Sequence, residues 1–445
     1  MIAIKRFLGL TTLLISSILA SHAQGNLNVS ESSTDVEYFN ENFLRYDNFN
    51  YKKEVQTVTL HPQGWPLSPP VFNMNEPVPL VLKFDVLDSA LGNYMYTLIH
   101  CDHNWQKSEL DVQEYIVGMP ADFISEYDYS RNTYQKYIHY QLEVPNFNME
   151  ITKSGNYLLK VYDSDNPEIL ILTRRFCVAE NSIAVTENVH QPSMVSQRYS
   201  HQEIDFNILT SNYEVTNPYK DLHVVVLQNH SWTNALENLD PRFVKSNVLD
   251  YDYDGENAMY GLNEYRLLDI KNTRFTGRGV ERVTFGNREN HAYLEIDKSR
   301  LSKVYLQQPD LNGWYFIKND WLNTEGDIDA DYVNVHFNLQ QTSPLVGADV
   351  YVFGALTDWQ IKKEAKLNYN QVALQYENTM YLKQGLYSYM YAVVKDGEFQ
   401  PDLVTFEGTH FQTENEYAIL VYHRTLGLDY DRLLTYKTVK VNSTN

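Results

Sequence analysis

The sequence predicts an all-β protein built from three consecutive β-sandwich domains. Apolar and polar residues alternate with a period of two along almost the whole chain, as they do in half-buried strands. Clusters of turn-forming residues separate the alternating segments at short intervals. Tyrosine, which suits a pleated and half-buried surface, accounts for 35 of the 445 residues. Helical periodicity is weak throughout, and only residues 121–127 suggest a short helical turn.

The N-terminus, residues 1–23, has the pattern of a cleavable signal peptide. Lys5 and Arg6 form a short positive segment, residues 7–20 are an apolar run, and residues 21–23 supply the small-residue cleavage pattern. The run is short for a membrane span, and no later segment reaches about 18 uninterrupted apolar residues. We therefore expect an exported protein with no membrane anchor of its own.

Charge and cysteine usage exclude several classes of partner and of fold. The chain has 57 acidic and 36 basic residues, a formal charge of −21 at pH 7. Such an excess of carboxylates repels phosphate, which argues against nucleic acid and anionic lipid as partners. Two cysteines, Cys101 and Cys177, are too few for a disulfide framework. A bridge between them and a pair of buried free thiols both agree with this sequence.

The first domain is expected over residues 24–180, after the signal peptide. Its alternating segments predict strands at residues 55–60, 78–86, 94–101, 136–144, 157–162 and 169–178. Turn signals such as Pro62-Gln63-Gly64 and Ser154-Gly155-Asn156 separate them. Six or seven short strands over about 130 residues are typical of a β-sandwich.

Residues 181–325 are predicted to form a middle β domain with a long polar insert. Alternation lapses between residues 179 and 193, which marks the joint with the first domain. Strands are then predicted at residues 203–209, 222–228, 262–270, 280–285, 291–296 and 304–306. The polar insert covers residues 232–261 and interrupts this series.

The C-terminal domain, residues 326–445, is predicted as an immunoglobulin-like, early-set-like β-sandwich. Its strands are expected at residues 332–339, 348–353, 372–374, 386–394 and 417–422. Residues 352–359 and 382–389 resemble the F-G-x-x-T-D-W … L-x-x-G-x-Y-x-Y pattern of early-set modules, some of which bind starch or glycogen.

Trp359 ends the first part of that pattern and allows two interpretations. An exposed indole in this group can stack on the apolar face of a sugar ring, and a buried one packs at the sandwich edge. The first interpretation supports the alternative function for this chain, a secreted multidomain glycan-binding protein.

Two motifs suggest a metal but fit one poorly. Residues 100–103 are His-Cys-Asp-His, but alternate residues of a strand point to opposite faces, so the four cannot converge on one ion. Residues 250–255 match the first half of a calcium loop. Gly261 stands where the acidic ligand of the twelfth position belongs, and Glu264 comes three residues late. We predict no metal and no cofactor.

No catalytic constellation is visible in the sequence. There is no Gly-x-Ser-x-Gly elbow and no His-Glu-x-x-His motif, and Gly277-Arg278-Gly279 is a lone glycine pair rather than a phosphate-binding loop. Carboxylates are too abundant in so acidic a chain for one pair to indicate a glycosidase. We predict a protein that is not an enzyme and that works through its surface.

A series of motifs resembles the plug protein family of the Bacteroidota type IX secretion system. In the first domain they are Tyr96-Thr97-Leu98-Ile99-His100-Cys101-Asp102-His103-Asn104-Trp105, Glu114-Tyr115, Tyr137-Ile138-His139-Tyr140, Pro145-Asn146, and residues 154–162 and 172–176. Residues 251–257, 265–266 and 331–339 resemble later parts of the same family. The motifs agree in order and spacing, and the resemblance spans most of residues 40–435.

The resemblance implies a non-enzymatic periplasmic protein that occludes the periplasmic end of a very large outer-membrane translocon barrel when no substrate is passing. No residue-level site accompanies the family, so the contacts must be sought among loop aromatics, which dominate interface energetics. The partner-binding candidates are Trp105, Tyr127, Tyr129, Trp232, Tyr251 and Tyr253.

Overall fold

The computed structural model describes residues 43–87, 90–286 and 288–442. The predicted signal peptide, residues 1–23, lies outside these ranges. The all-β prediction is confirmed. Helix in the described residues is limited to four short turns, namely α1 Val112–Tyr115, α2 Pro218–Asp221 and the 3₁₀ turns Ala355–Thr357 and Lys363–Ala365. No helix in this part of the chain is long and apolar enough to cross a bilayer.

The first sandwich contains twelve strands. They are β1 Phe49–Asn50, β2 Val55–Pro62, β3 Val71–Asn73, β4 Leu80–Leu87, β5 Tyr94–Cys101, β6 Ile116–Gly118, β7 Ala121–Phe123, β8 Glu126–Tyr129, β9 Tyr137–Val144, β10 Met149–Ile151, β11 Gly155–Asp163 and β12 Leu170–Ala179. One sheet has the order β1-β12-β11-β5-β7, with β3 on β12, and the other has the order β2-β4-β9-β8. Leu82 and Phe84 of one sheet meet Tyr96 and Leu159 of the other in a shared core.

The helical turn expected at residues 121–127 is wrong. β7 pairs with β5, and β8 pairs with β9, so both segments are edge strands. Aromatic side chains at residues 123, 127 and 129 suit a strand, and pairing with a longer neighbour supplies hydrogen bonds that one isolated helical turn lacks.

The second sandwich begins with seven strands. They are β13 Ala184–His190, β14 His201–Leu209, β15 Leu222–Gln228, β16 Ser231–Leu236, β17 Phe243–Lys245, β18 Val248–Tyr251 and β19 Ala258–Tyr260. β13-β14-β18-β17 form one sheet, with β19 also paired to β14. The expected polar insert therefore contains four short strands, whose burial patterns are too irregular for alternation to show them.

The third unit is a ten-stranded sheet. Its strands are β20 Arg266–Asp269, β21 Val280–Gly286, β22 Glu289–Leu294, β23 Asp297–Lys298, β24 Tyr315–Ile317, β25 Tyr332–Gln340, β26 Ala348–Phe353, β27 Lys366–Asn370, β28 Gln375–Lys383 and β29 Gly385–Lys395. The order is β20-β29-β26-β27-β28-β25-β22-β21. Phe337 of β25 nevertheless contacts Tyr389 of β29, with ring centroids 5.1 Å apart, so the sheet folds over itself around one core.

The end of the chain returns to the second sandwich. β30 Asn415–His423 pairs with β15, and β31 Arg432–Val441 pairs with β30, which gives the sheet β16-β15-β30-β31. The joint expected near residue 325 therefore does not coincide with the division of the sheets. Residues 266–317 contribute strands to the third unit, and the last two strands belong to the second.

The sheet made by β15 and β30 is apolar on both faces. Tyr417, Ile419 and Val421 point into the core of the second sandwich. The alternate residues Leu420 and Tyr422 pack against the outer face of the first sandwich. Three sheets are thus stacked across this joint, and a strand buried on both faces shows no alternation that could identify its partner.

Two shorter segments also differ from expectation. Residues 304–306 and 372–374, both predicted as strands, lie outside the strands of the structure. Residues 371–374 form the turn between β27 and β28.

Cys101 and Cys177 are buried free thiols. Both lie opposite Asn156, one on each strand that flanks β11. Two strand spacings separate their Cα atoms by roughly 9.5 Å, beyond the limit of about 7 Å for a disulfide. Burial raises the pKa of each thiol to about 12, so both are unreactive in the folded protein.

We expect both thiols to stay reduced and protected. Iodoacetamide should label neither cysteine in the native protein and both in denaturant without reductant, as counted by intact-protein mass spectrometry. If labelling in denaturant requires a reductant, the two cysteines are bridged and this assignment is wrong.

Candidate functional site

The six predicted contact aromatics differ in exposure, and Trp232, which is half-buried, stands between two groups. Tyr127 and Tyr129 lie on β8, with 43% and 58% of their surface exposed. The prediction that they contact a partner remains a prediction. Tyr251 is fully buried, and Trp105 and Tyr253 are nearly so. A buried side chain offers no area to a partner, so the structure corrects the prediction for these three residues.

Tyr251 and Tyr253 are held by their own domain. Tyr251 stacks on Phe206 with ring centroids 4.6 Å apart, and the Tyr253 hydroxyl donates to the Asp240 carbonyl. The loop therefore folds back onto the second sandwich. The turn-rich sequence does not predict this position of the loop, because the position depends on packing and not on local propensity.

Trp105 and Trp232 join the first two sandwiches. Their rings meet edge to face at 5.1 Å, and the Arg175 guanidinium lies 4.4 Å from the Trp105 ring. Trp232 is half-buried by this contact. Both indoles therefore serve an internal joint. For the half-buried Trp232, contact with a partner remains a prediction.

Strands β6 to β8 of the first sandwich, with the loops after β6 and β9, expose several large apolar side chains. We call this surface the apolar edge, and its members are Val117, Met119, Phe123, Tyr127, Tyr129 and Phe147. The backbone N–H of Met119 donates to the Asn148 carbonyl at 2.7 Å, which holds the Phe147 loop beside β6. The Asn148 amide donates to Asp122 at 2.9 Å. Sequence reasoning found only the two tyrosines, although Phe147 between two asparagines has the composition of an exposed loop.

The histidines of residues 100–103 have separate structural partners. His100 is buried, with Nδ1 2.8 Å from the Ser108 hydroxyl and Nε2 3.0 Å from the Ser154 carbonyl. His103 lies beyond the end of β5 and meets His223 and Asp431 of the second sandwich. This cluster was not predictable from the sequence, since its members are distant along the chain.

The cluster of His103, His223 and Asp431 forms an ion-paired joint. Asp431 Oδ2 accepts hydrogen bonds from the His103 backbone at 3.0 Å and from its Nδ1 at 2.7 Å. Asp431 Oδ1 accepts from Arg424 Nε at 2.7 Å. Burial acts to raise the pKa of Asp431, but the His103 and Arg424 hydrogen bonds outweigh it and hold that pKa well below its usual range.

The same cluster fits a metal ion poorly. Ligand atoms of the three residues lie within 4.8 Å of one another. The imidazoles of His103 and His223, however, stack 3.8 Å apart at an interplanar angle of 4°. An ion bound by an imidazole nitrogen lies near the plane of that ring, and two stacked parallel rings have no plane in common for one ion to occupy. Arg424 also places a cation on the carboxylate that the ion would need.

The acidic turn at residues 250–255 is paired with basic side chains. Asp250 lies 2.8 Å from Lys245 Nζ, and Asp254 lies 3.0 Å from Arg242. These carboxylates therefore have cationic partners within the second sandwich, and the pairs stabilise the turn.

Trp359 is an interior residue. Only 8% of its surface is exposed, and its ring meets Trp314 edge to face at 4.8 Å. The interpretation of Trp359 as an exposed sugar platform is therefore wrong, and the packing interpretation describes its position. The early-set resemblance gives no support to glycan binding at the outer surface.

A buried charge network joins the first sandwich to the third. Lys383 Nζ lies 2.6 Å from Asp85 Oδ2, and each side chain is 1% exposed. The hydroxyl of Tyr332 donates to the same oxygen at 2.7 Å, and His139 Nδ1 lies 2.7 Å from Asp85 Oδ1. Burial acts to raise the pKa of Asp85, but Lys383 and His139 outweigh it, so the pKa lies below its ordinary value.

One comparison with known proteins matches the first sandwich, and another matches most of the chain. Residues 55–180 match the family described as "Type 9 secretion system plug protein 1st domain". A crystallised hypothetical protein from Parabacteroides merdae is 32% identical, with a TM-score of 0.86. The match covers 89% of this chain and 100% of that one.

Other comparisons add no functional argument. Native α-2-macroglobulin from Escherichia coli, spanning domains NIE-MG1, is 10% identical and has a TM-score of 0.16, with 47% of this chain and 94% of that chain covered. Comparison with curated proteins gives no match.

We expect Lys383→Met to lower the free energy of unfolding by about 3–5 kcal/mol, because it leaves the Asp85 carboxylate buried without its cation. Guanidinium denaturation measures the loss. Lys395→Met is the control, since Lys395 is 59% exposed and lies 4.0 Å from Glu398, and such pairs contribute about 1 kcal/mol at most. Equal effects of the two substitutions would contradict a structural role for the buried pair.

The stabilising effect of Asp431 should depend on pH. Its folded-state pKa is depressed, so its contribution is present above the unfolded value of about 3.9 and is lost as the pH falls through the folded value. Asp431→Asn should therefore be less stable than the parent at pH 7, and the gap should narrow below about pH 4. Asp165→Asn, at an exposed position, is the control in the same denaturation series. A gap independent of pH would contradict the ionic role.

Proposed function

This chain belongs to the type 9 secretion system plug protein family, and from that membership we propose that it occludes the periplasmic end of the outer-membrane translocon pore when no substrate is passing. The family match carries the proposal, because it covers the first sandwich from β2 to β12. The proposed location is the periplasm, in association with the translocon. The proposed action is steric and needs no catalytic step.

The internal joints support this proposal, because a stopper must keep its shape while it covers a pore. The Asp85–Lys383 pair fixes the first sandwich against the third. Packing of β15 and β30 on the first sandwich fixes the second. Breaking either joint would expose a buried charge or apolar surface, so the three units resist independent movement.

We propose the apolar edge as the surface that contacts the translocon. It lies within the matched first domain and presents exposed aromatic side chains, with Phe147 fully exposed. Asp122, Glu126 and Asp128 lie between these side chains along the chain. A mixture of aromatic and polar side chains is typical of an interface that forms and separates.

Deletion of this protein should leave the translocon leaky and not inactive. A stopper lowers the permeability of a pore whose transport machinery lies elsewhere, so uptake of large antibiotics or dyes should rise while cargo export partly survives. Dye uptake and secreted-protein levels in a clean deletion strain measure both effects. Unchanged permeability would contradict the plug function itself.

The triple substitution Tyr127→Ala, Tyr129→Ala and Phe147→Ala should weaken co-purification with the translocon barrel at least about thirtyfold, since truncating one true anchor costs about 2 kcal/mol or more. The matched control is Tyr199→Ala with Tyr219→Ala, which removes exposed tyrosines from the second sandwich. Circular dichroism confirms that each variant is folded. Equal binding by the triple variant and the parent would exclude the apolar edge and leave the plug function to the deletion experiment.

A further inference from the structure

A cavity of about 210 Å³ lies where the first sandwich, the second sandwich and the third unit meet. Four of the six tryptophans of the chain line it, namely Trp105, Trp232, Trp314 and Trp359. Arg174 and Arg175 of β12 line it from the first sandwich, and His230 lines it from the second. Its walls therefore combine aromatic side chains with a few polar groups, which is the usual composition of a small-molecule site.

Among the residues that line this cavity, Trp105 and Arg174 each have a buried hydrogen-bond donor without a protein acceptor. Trp105 is 5% exposed and Arg174 is 4% exposed, and neither the Trp105 indole N–H nor the Arg174 Nε–H has a hydrogen-bond partner. A buried donor without an acceptor is costly and rare in a native protein. Both residues line the same cavity, so acceptors inside the cavity would satisfy both.

Arg174 is fixed by its other nitrogens. Nη1 donates to the Thr173 carbonyl at 2.7 Å, and Nη2 donates to Asn50 Oδ1 at 2.7 Å. These bonds hold the guanidinium in place and leave Nε as the free donor. A positioned donor of this kind contributes specificity, because its partner must present an acceptor at one place.

The charges that line the cavity balance. Arg174 lies 3.8 Å from Asp358, and Arg175 lies 3.4 Å from Asp47. Because each guanidinium already has a carboxylate partner, the lining has no unmatched charge that would recognise an anion or a cation. A neutral ligand with acceptor oxygens agrees with this balance.

The cavity can hold one six-membered ring and reaches the surface. Its volume exceeds the roughly 150 Å³ of an engineered cavity that binds benzene. Pro66 lines one side and is itself exposed. Pro69 and Pro70 follow in the same loop, and their fixed backbone angles restrict its movement.

We propose that this cavity binds a single pyranose ring of a neutral carbohydrate. Indole faces match the apolar faces of a sugar ring, and hydroxyl oxygens supply acceptors for the Trp105 and Arg174 donors. This site is internal and distinct from the apolar edge, so it extends the function of the chain and does not depend on occlusion of the pore.

Titration of the full-length mature protein with methyl pyranosides of the gluco, galacto, manno and N-acetylgluco configurations tests the proposal. Tryptophan fluorescence should change with saturation in the millimolar range for at least one of them, because four of the six indoles line the cavity. Cyclohexanol serves as a ring with a single hydroxyl, and it should bind more weakly. Saturation by none of the pyranosides, or equal saturation by cyclohexanol, would overturn the proposal.

Variants locate the binding. Trp105→Phe removes the indole N–H and keeps an aromatic ring, and it should weaken binding about five- to tenfold. Gln360→Trp places a large side chain at a half-buried position of the lining and should abolish binding. Trp65→Phe, at a position 66% exposed and outside the lining, should bind as the parent does. Two results would overturn the assignment. One is unchanged affinity in both cavity variants. The other is a crystal structure that shows only water in the cavity after soaking with the pyranoside that binds in solution.

Discussion

The placement of the third unit on the first sandwich depends on the buried ion pair between Asp85 and Lys383. Neither charge is tolerable alone in an interior, so each requires the other unit to be in place. The pair also orders its surroundings. Lys383 lies 4.1 Å from the centre of the Tyr137 ring, and the Tyr137 hydroxyl donates to the Ala330 carbonyl. Polar contacts with such demanding geometry specify one orientation, whereas apolar surfaces alone would allow several.

The second joint is of a different physical kind. β15 and β30 have apolar residues on both faces, so water must be excluded from two sides of one sheet. Polar contacts fix its register on the first sandwich, and one of them is the hydrogen bond that the Tyr422 hydroxyl donates to Asn156 at 2.8 Å. Arg432 and Glu180 form a further ion pair at 2.6 Å near the same boundary. Apolar burial supplies the attraction at this joint, and the polar contacts select its alignment.

Strand positions were largely predictable from the sequence, and their partners were not. Alternation identified residues 222–228 and 348–353 with the bounds that the structure has. It also identified β30, which was predicted at residues 417–422 and spans Asn415–His423, but it could not reveal that this strand completes the second sandwich. The candidate site shows the same division. Tyr127 and Tyr129 were identifiable as aromatics outside the predicted strands, but the burial of Tyr251 and the meeting of His103 with His223 follow from long-range packing.

The return of the last two strands has a consequence for the order of folding. Val224 pairs with Val421, so the second sandwich cannot close until nearly the entire polypeptide has been synthesised and released. The intervening third unit has a core of its own and can condense first. Until β30 arrives, β15 is left as an unpaired apolar edge, which is the kind of surface that chaperones bind and that aggregates when left uncovered. Completion of the molecule is thereby tied to the release of its final residues.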